Sequence, residues 1–340
     1  MPEPLRVAVI GLSHDHVWWN LAGLARSEDI KVVAAWDKHE ALRERFKAEV
    51  PGAETFRDAH HIMHAVYPDV VLCCDNNHDN VHHVEDAAEH GCHCVVEKPM
   101  ADTLAGAERM MAACTQADVK LIINWPICWS RALWHAARLA TSGEYGPLWQ
   151  VRYRSAHNGP ENVGCSEYFV DWLYDAKRNG PGAFTDYTCY GAAVCRWLQG
   201  MPDKVTGMAG RLVKTRETPA DNAVLLLSYP KAISIIEASW TQVSHRPRSG
   251  GLFHCAEALI SPRGNHVLVS TAEAPEGTLV EAEAAPAHLT SLGHYVTAIV
   301  RGEAEPCGPL DPVIARDAQA IMEAGWTATQ TGEAQAVKRA

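Results

Sequence analysis

The chain has 340 residues, of which 47% are hydrophobic and 21% charged, and a formal net charge of −11. That length favours two domains, and the acidity excludes the basic stripe that a nucleic-acid surface needs. No apolar run is long enough to span a membrane and no secretory segment precedes the first strand-like run, so a cytoplasmic protein with neither nucleic-acid nor membrane partners is expected.

Taken in order, residues 7–10 form a short apolar run that ends at Gly11, and Val17, Leu21 and Leu24 then recur at helical spacing. Residues 30–36 make a second apolar run, followed by an amphipathic stretch carrying Leu42 and Phe46. Residues 69–74 and 93–96 read as further strands, separated by a helix that stops at Gly91. A helix over 104–117 and a strand over 120–124 complete a β-α-β-α rhythm. Such alternation predicts a doubly wound parallel sheet, here a Rossmann domain over residues 1–125.

The rhythm changes afterwards. A helix is predicted over 130–141, a strand over 148–156, and a helix ending at Leu198 after the Gly180-Pro181-Gly182 turn. Strand-like runs then follow in series at 204–214, 223–229, 233–240, 255–260 and 266–270, and helices near 288–301 and 312–327 close the chain. Strands in series predict a second, α+β domain over 126–340 with a large open, mostly antiparallel sheet. An open sheet with an apolar face invites association, so a homodimer or homotetramer is expected.

A strand, a glycine and a helix form the opening of a dinucleotide site, with the pyrophosphate at the helix N-terminus. The segment Gly11-Leu12-Ser13-His14-Asp15-His16 keeps only the first fingerprint glycine. Ser13 is small, whereas His14 and His16 add bulk and Asp15 adds negative charge. Asp37, about 25 residues past Gly11, stands near the place of the acid that binds the ribose hydroxyls of NAD. A carboxylate there repels a 2′-phosphate, so NAD is expected in preference to NADP.

None of the 11 cysteines forms a C-x2-C pair, so neither a zinc ribbon nor a disulfide framework is suggested. His78 and His82 are four apart, a spacing that metals use, but a polar face on a solvated helix is the preferred explanation. No metal is expected.

At Glu97-Lys98-Pro99, led in by Gly91-Cys92-His93-Cys94-Val95-Val96, the sequence resembles the glucose–fructose oxidoreductase / inositol dehydrogenase (Gfo/Idh/MocA) family. The family's hallmark E-K-P ends its fifth Rossmann strand. A second match follows the glycine-rich turn, where Asp186-Tyr187-Thr188-Cys189-Tyr190 stands for the family's D-x-G-x-H or D-x-G-x-Y. The T-P-N-x-x-H segment of the family reads here Asp75-Asn76-Asn77-His78-Asp79-Asn80, and Thr188 replaces the helix glycine. The resemblance covers nearly the whole chain.

What the resemblance implies is an NAD-dependent oxidoreductase that moves a hydride between nicotinamide and a hydroxyl carbon of a sugar, inositol or related polyol. Lys98 and Tyr190 are then the candidates for moving the hydroxyl proton, with Asp186 orienting the substrate. Gly11, Leu12, Ser13, His14, Asp37, Asp75, Asn77, Glu97 and Lys98 are the candidate cofactor residues, and His157 and Trp172 the candidate substrate contacts. The family also includes enzymes that retain NAD and cleave or eliminate by transient oxidation. A non-catalytic nucleotide or sugar sensor, and metal-assisted chemistry through the histidines, are the remaining alternatives.

Overall fold

In the computed structural model, which describes residues 2–339, the first third of the chain lays down six parallel strands. These are β1 (Leu5–Ile10), β2 (Ile30–Trp36), β3 (Glu54–Phe56), β4 (Val70–Cys73), β5 (His93–Glu97) and β6 (Leu121–Asn124). Their order is β3-β2-β1-β4-β5-β6. Helices α1 (His16–Leu24), α2 (Glu40–Glu49), α3 (Ala59–Val66), α4 (Asp79–Glu89) and α5 (Leu104–Gln116) make the crossovers. Residues 7–10 of β1 and all of β4 are buried, as expected of strands covered on both faces. The strand order reverses between β1 and β4, which places a ligand crevice at their carboxyl ends.

β3 and α3 are absent from the sequence reading. β3 is only three residues long, too short to show a period, and α3 is announced by a cap rather than by composition: Asp58 accepts from the His60 N–H.

The chain continues through α6 (Arg131–Thr141), β7 (Leu148–Ala156), α7 (Glu167–Leu173) and α8 (Ala183–Gln199). Seven strands follow: β8 (Lys204–Gly210), β9 (Asn222–Tyr229), β10 (Ala232–Ser239), β11 (Gly250–Cys255), β12 (Leu259–Arg263), β13 (His266–Ser270) and β14 (Thr278–Glu281). The last elements are α9 (Leu292–Val300), α10 (Pro312–Thr331) and the two-residue β15 (Gln335–Ala336).

Two compact units result. The first holds the residues up to Asn124 together with 165–179 and 286–312, hence α7 and α9. The second holds 125–164, 180–285 and the segment from Val313 onward. Its nine-stranded sheet runs β14-β13-β12-β11-β7-β10-β9-β8-β15, and only the β7–β10 pair is parallel.

Two expected strands change shape for local reasons. The run at 255–260 is a hairpin corner: the Cys255 N–H donates to the Ala258 carbonyl, ending β11 and starting β12. The run at 204–214 stops at Gly210, because the next backbone amides turn onto a carboxylate. Leu212, Val213 and Lys214 all donate N–H groups to Asp221 at 2.7–2.8 Å.

One face of the second sheet is covered by helices. Ala223, Leu225 and Leu227 of β9 are buried, and Leu225 lies under Gly325 of α10. Their neighbours Val224 and Leu226, pointing the other way, are 43% and 42% exposed.

Candidate functional site

The first unit gathers its candidates at the carboxyl edge of the parallel sheet. Gly11 follows β1 with φ +87°, and a Cβ there would stand 2.4 Å from the Asp75 nitrogen. The turn therefore needs glycine both for its dihedral and for the close approach of the loop after β4. The Leu12 N–H donates to Asp37 Oδ2 at 2.7 Å, and the His39 N–H donates to Oδ1 at 2.7 Å. Burial pushes the Asp37 carboxyl up from its ordinary range and nearby Asp75 adds to this, against the pull of those two amides. Each carboxylate oxygen keeps a further acceptor site.

Asp75 and Asn77 follow β4. Asp75 Oδ2 faces His83 Nε2 at 3.3 Å, and Ser13 Oγ donates to its Oδ1 at 3.4 Å. Burial raises the Asp75 carboxyl, but the His83 ring and the Asn76 amide outweigh it and leave it below its ordinary range. The Asn77 side-chain amide donates to Asn179 at 2.9 Å through Oδ1 and at 3.1 Å through the carbonyl. Its own Oδ1 is buried with no hydrogen-bond partner. A buried acceptor left open is uncommon and points to a ligand hydroxyl or amide.

Glu97 and Lys98 follow at the end of β5, both buried. Glu97 Oε1 pairs with His16 Nδ1 at 2.9 Å, and Oε2 accepts from Asn20 Nδ2 at 2.9 Å and Asn124 Nδ2 at 2.7 Å. Burial alone would raise its carboxyl; His16, Asn20 and Lys98 together hold it below the ordinary range. His14 is 1% exposed. Burial first, then the neighbouring His16 and Lys98, pushes its imidazole well below the usual range, so it is neutral.

The bulk that His14 brings to the fingerprint loop is absorbed by α7. Its ring lies 4.4 Å from Phe169 and 5.4 Å from Trp172 between centroids. The Asp15 carboxylate also turns to that helix, accepting from the Ser166 N–H at 2.6 Å and Oγ at 2.7 Å. Trp172 is thus 2% exposed and packed within the first unit, against the loop. Trp172 is an expected substrate contact, whereas the helix around it is not among the elements expected from the sequence. The available signal was Ser166 as an N-cap ahead of Phe169, Val170, Trp172 and Leu173.

The test for a dinucleotide is whether the edge offers acceptors to ribose hydroxyls and N–H groups to phosphate. Asp37 and the open Asn77 oxygen supply the first. The N-terminus of α1, with the Asp15 charge turned away onto Ser166, is the place for the second. The residues fit the group.

His78 and His82 take different partners. His78 Nδ1 pairs with Asp102 at 2.9 Å and His82 Nδ1 with Glu85 at 3.5 Å, and both rings are more than half exposed.

In the second unit, Gly182 (φ +63°) admits α8 beside Thr218 and Ala220; a Cβ there would lie 2.1 Å from Thr218 Oγ1. Asp186 and Tyr190, one turn apart on α8, are 6% and 9% exposed. Trp240 Nε1 donates to Asp186 Oδ2 at 3.1 Å. Tyr190 meets Trp125 at 5.6 Å and Tyr187 at 6.2 Å between ring centroids, and His157 meets Tyr187 at 4.9 Å. Asp186, Tyr190 and His157 are therefore joined in one aromatic-lined cluster. Tyr187, Trp125 and Trp240 complete it without having been singled out in the sequence; Trp240 comes from the far end of β10, which no local pattern links to α8.

Comparison with known proteins identifies the family of both parts of the chain. Residues 5–125 match the family described as "Oxidoreductase family, NAD-binding Rossmann fold", and residues 133–257 match the "GFO/IDH/MocA C-terminal domain". The chain is 28% identical to D-apiose dehydrogenase of Paraburkholderia graminis over 67% of its own length and 57% of that protein. It is 27% identical to 1-carboxy-3-chloro-3,4-dihydroxycyclohexa-1,5-diene dehydrogenase of Comamonas testosteroni, over 65% of its own length and 54% of that protein. It thus spans little more than half the length of these two relatives. Among solved structures, the WlbA dehydrogenase of Bordetella pertussis, in complex with NADH and UDP-GlcNAcA, shares the fold with a TM-score of 0.83 at 18% identity, covering 100% of this chain and 99% of that one. On the two matches, which lie one after the other along the sequence, the chain belongs to the GFO/IDH/MocA oxidoreductase family.

Proposed function

We propose that the protein is an NAD-dependent oxidoreductase acting on a hydroxyl carbon of a sugar, inositol or related polyol. One observation carries the reading. The carboxyl ends of β1, β2, β4 and β5 bring Gly11, Asp37, Asn77 and the Glu97–Lys98 pair to one edge of a parallel sheet, with an open buried acceptor among them. The name of the relative that acts on D-apiose supports the substrate class.

Bound NAD supplies the hydride acceptor. Asp37 holds the adenosine ribose through its remaining acceptor sites and disfavours a 2′-phosphate. The loop from Ser13 to Asp15 would hold the pyrophosphate at the N-terminus of α1, and Asn77 Oδ1 would accept a ribose hydroxyl. By their places in the family motifs, Lys98 and Tyr190 are the groups that move the proton of the substrate hydroxyl, and Asp186, aimed by Trp240, is the one that orients substrate hydroxyls. The His157–Tyr187 pair offers aromatic and polar surface to a sugar.

Calorimetry with NAD, NADH and NADP on wild type and Asp37→Ala tests this. Wild type binds NAD more tightly than NADP, and the variant, shown folded by circular dichroism, loses about 10- to 100-fold in NAD affinity, about 1.4–2.7 kcal/mol. A screen of sugars and polyols for NADH production then finds the substrate. A wild-type protein that binds no dinucleotide sinks the proposal.

A further inference from the structure

We propose that His14, His16 and Glu97 form a binding site for a divalent transition metal, Zn2+ first, at the carboxyl edge of the six-stranded sheet. The inference goes beyond the oxidoreductase reading and does not depend on it.

One ring nitrogen of each histidine and one oxygen of Glu97 lie within 4.8 Å of one another, the single such group of three among the described residues. Zinc bonds to imidazole nitrogen and carboxylate oxygen at about 2.0–2.2 Å, so tetrahedral ligand atoms stand about 3.4 Å apart. His16 Nδ1 and Glu97 Oε1 stand 2.9 Å apart and no pair of the three ligand atoms is separated by more than 4.8 Å, so small side-chain movements reach that value. Metal bound between His16 Nδ1 and Glu97 Oε1 replaces their hydrogen bond, and the imidazole ligates as the neutral tautomer with its proton moved to Nε2.

The surroundings have the build of a metal site. Glu97 is fully buried, and its second oxygen is fixed by two amides, Asn20 and Asn124, which is the supporting layer that ligating carboxylates carry. His14 is backed by Phe169 and Trp172, a wall that limits water. His16 is the most accessible ligand, its side chain 15% exposed. Two imidazoles and one carboxylate without thiolate suit zinc and its first-row neighbours, and three protein ligands leave a fourth position for water or a ligand oxygen. The site also accounts for imidazoles at two places in a loop where a dinucleotide fingerprint asks for small residues.

The test is titration of the full chain, stripped with a chelator and free of nucleotide, with Zn2+ alone by calorimetry, and with Co2+ followed by visible absorption. Wild type is expected to take up one metal per chain, with the intense d–d bands of a four-coordinate cobalt site. His16→Gln and Glu97→Gln should each weaken binding by at least about 100-fold and abolish the bands, while His82→Gln, on the exposed face of α4, leaves both unchanged. Circular dichroism confirms that the variants fold. Absence of stoichiometric binding to wild type, or binding that survives both His16→Gln and Glu97→Gln, overturns the site. NAD binding measured separately keeps this result distinct from the fate of the oxidoreductase proposal.

Discussion

The Asp15 carboxylate accepts both the N–H and the hydroxyl of Ser166, the N-cap of a helix 151 residues further along the chain. The negative charge of the first loop is thereby turned onto the N-terminus of α7, where unpaired amides and the helix dipole favour it. Asp15→Asn is expected to destabilise the protein by about 1–2 kcal/mol in denaturant unfolding. It should not tighten NAD binding, because the charge it removes is already engaged elsewhere. Tighter NAD binding with unchanged stability would mean that the carboxylate faces the phosphates instead.

Asp221 gives a prediction with a sign in pH. Burial raises its carboxyl, but the amides of Lys214, Leu212 and Val213 and the side chain of Asn222 together hold it below the ordinary range. The folded pKa is thus lower than the unfolded one. Its contribution to stability is fully present above the ordinary carboxylate pKa of about 4, and is lost as pH falls through the lowered value. At neutral pH, Asp221→Asn should cost about 1–3 kcal/mol. The gap between variant and wild type should close as the solution is acidified below pH 4. A gap that stays constant across that range would remove the ionised carboxylate from the account.

Much of this arrangement was legible from the residues, and the limits have physical causes. The strands at 7–10, 30–36 and 266–270 announce themselves because buried and half-buried strands carry continuous or alternating apolar runs. Gly11, Asp37 and Lys98 could be placed because each ends such a strand. The Asp15–Ser166 cap, the Asn77–Asn179 contact and the Trp240–Asp186 bond could not, because each joins segments far apart in sequence whose side chains carry no period. The histidines of the first loop read as obstacles to a phosphate until the structure put them beside Glu97.

Lys98 and Tyr190 should separate chemistry from binding. Lys98→Met is expected to lower kcat by about 10²- to 10⁴-fold, the range over which a positioned acid or base acts. NAD affinity should change far less. Tyr190→Phe keeps the ring against Trp125 and removes only the hydroxyl, so it should lower kcat with little change in KM or stability. Asp186→Asn should instead raise KM as well, since it disturbs the carboxylate that Trp240 aims. Equal activity of all three variants and wild type on an identified substrate would reject the assigned roles.

The open face of the second sheet leads to a prediction about assembly. Met208 on β8 stands opposite Val224 on β9, and these residues are 83% and 43% exposed. Leu226 and Ile233, on β9 and β10, are 42% and 57% exposed. Together they make an apolar surface on the side that α8 and α10 leave uncovered, and water contact with such a surface is unfavourable by roughly 25 cal/mol per Å². A second copy of the chain, offering the same face across a two-fold axis, would bury it. Light scattering should therefore give a dimer or tetramer at micromolar concentration. Val224→Glu combined with Leu226→Glu places four like charges across a two-fold contact and should shift the dissociation constant by at least about 100-fold, about 2.7 kcal/mol. A wild type that remains monomeric at all concentrations would show that the face is tolerated in water, and an assembly insensitive to both glutamates would place the interface elsewhere.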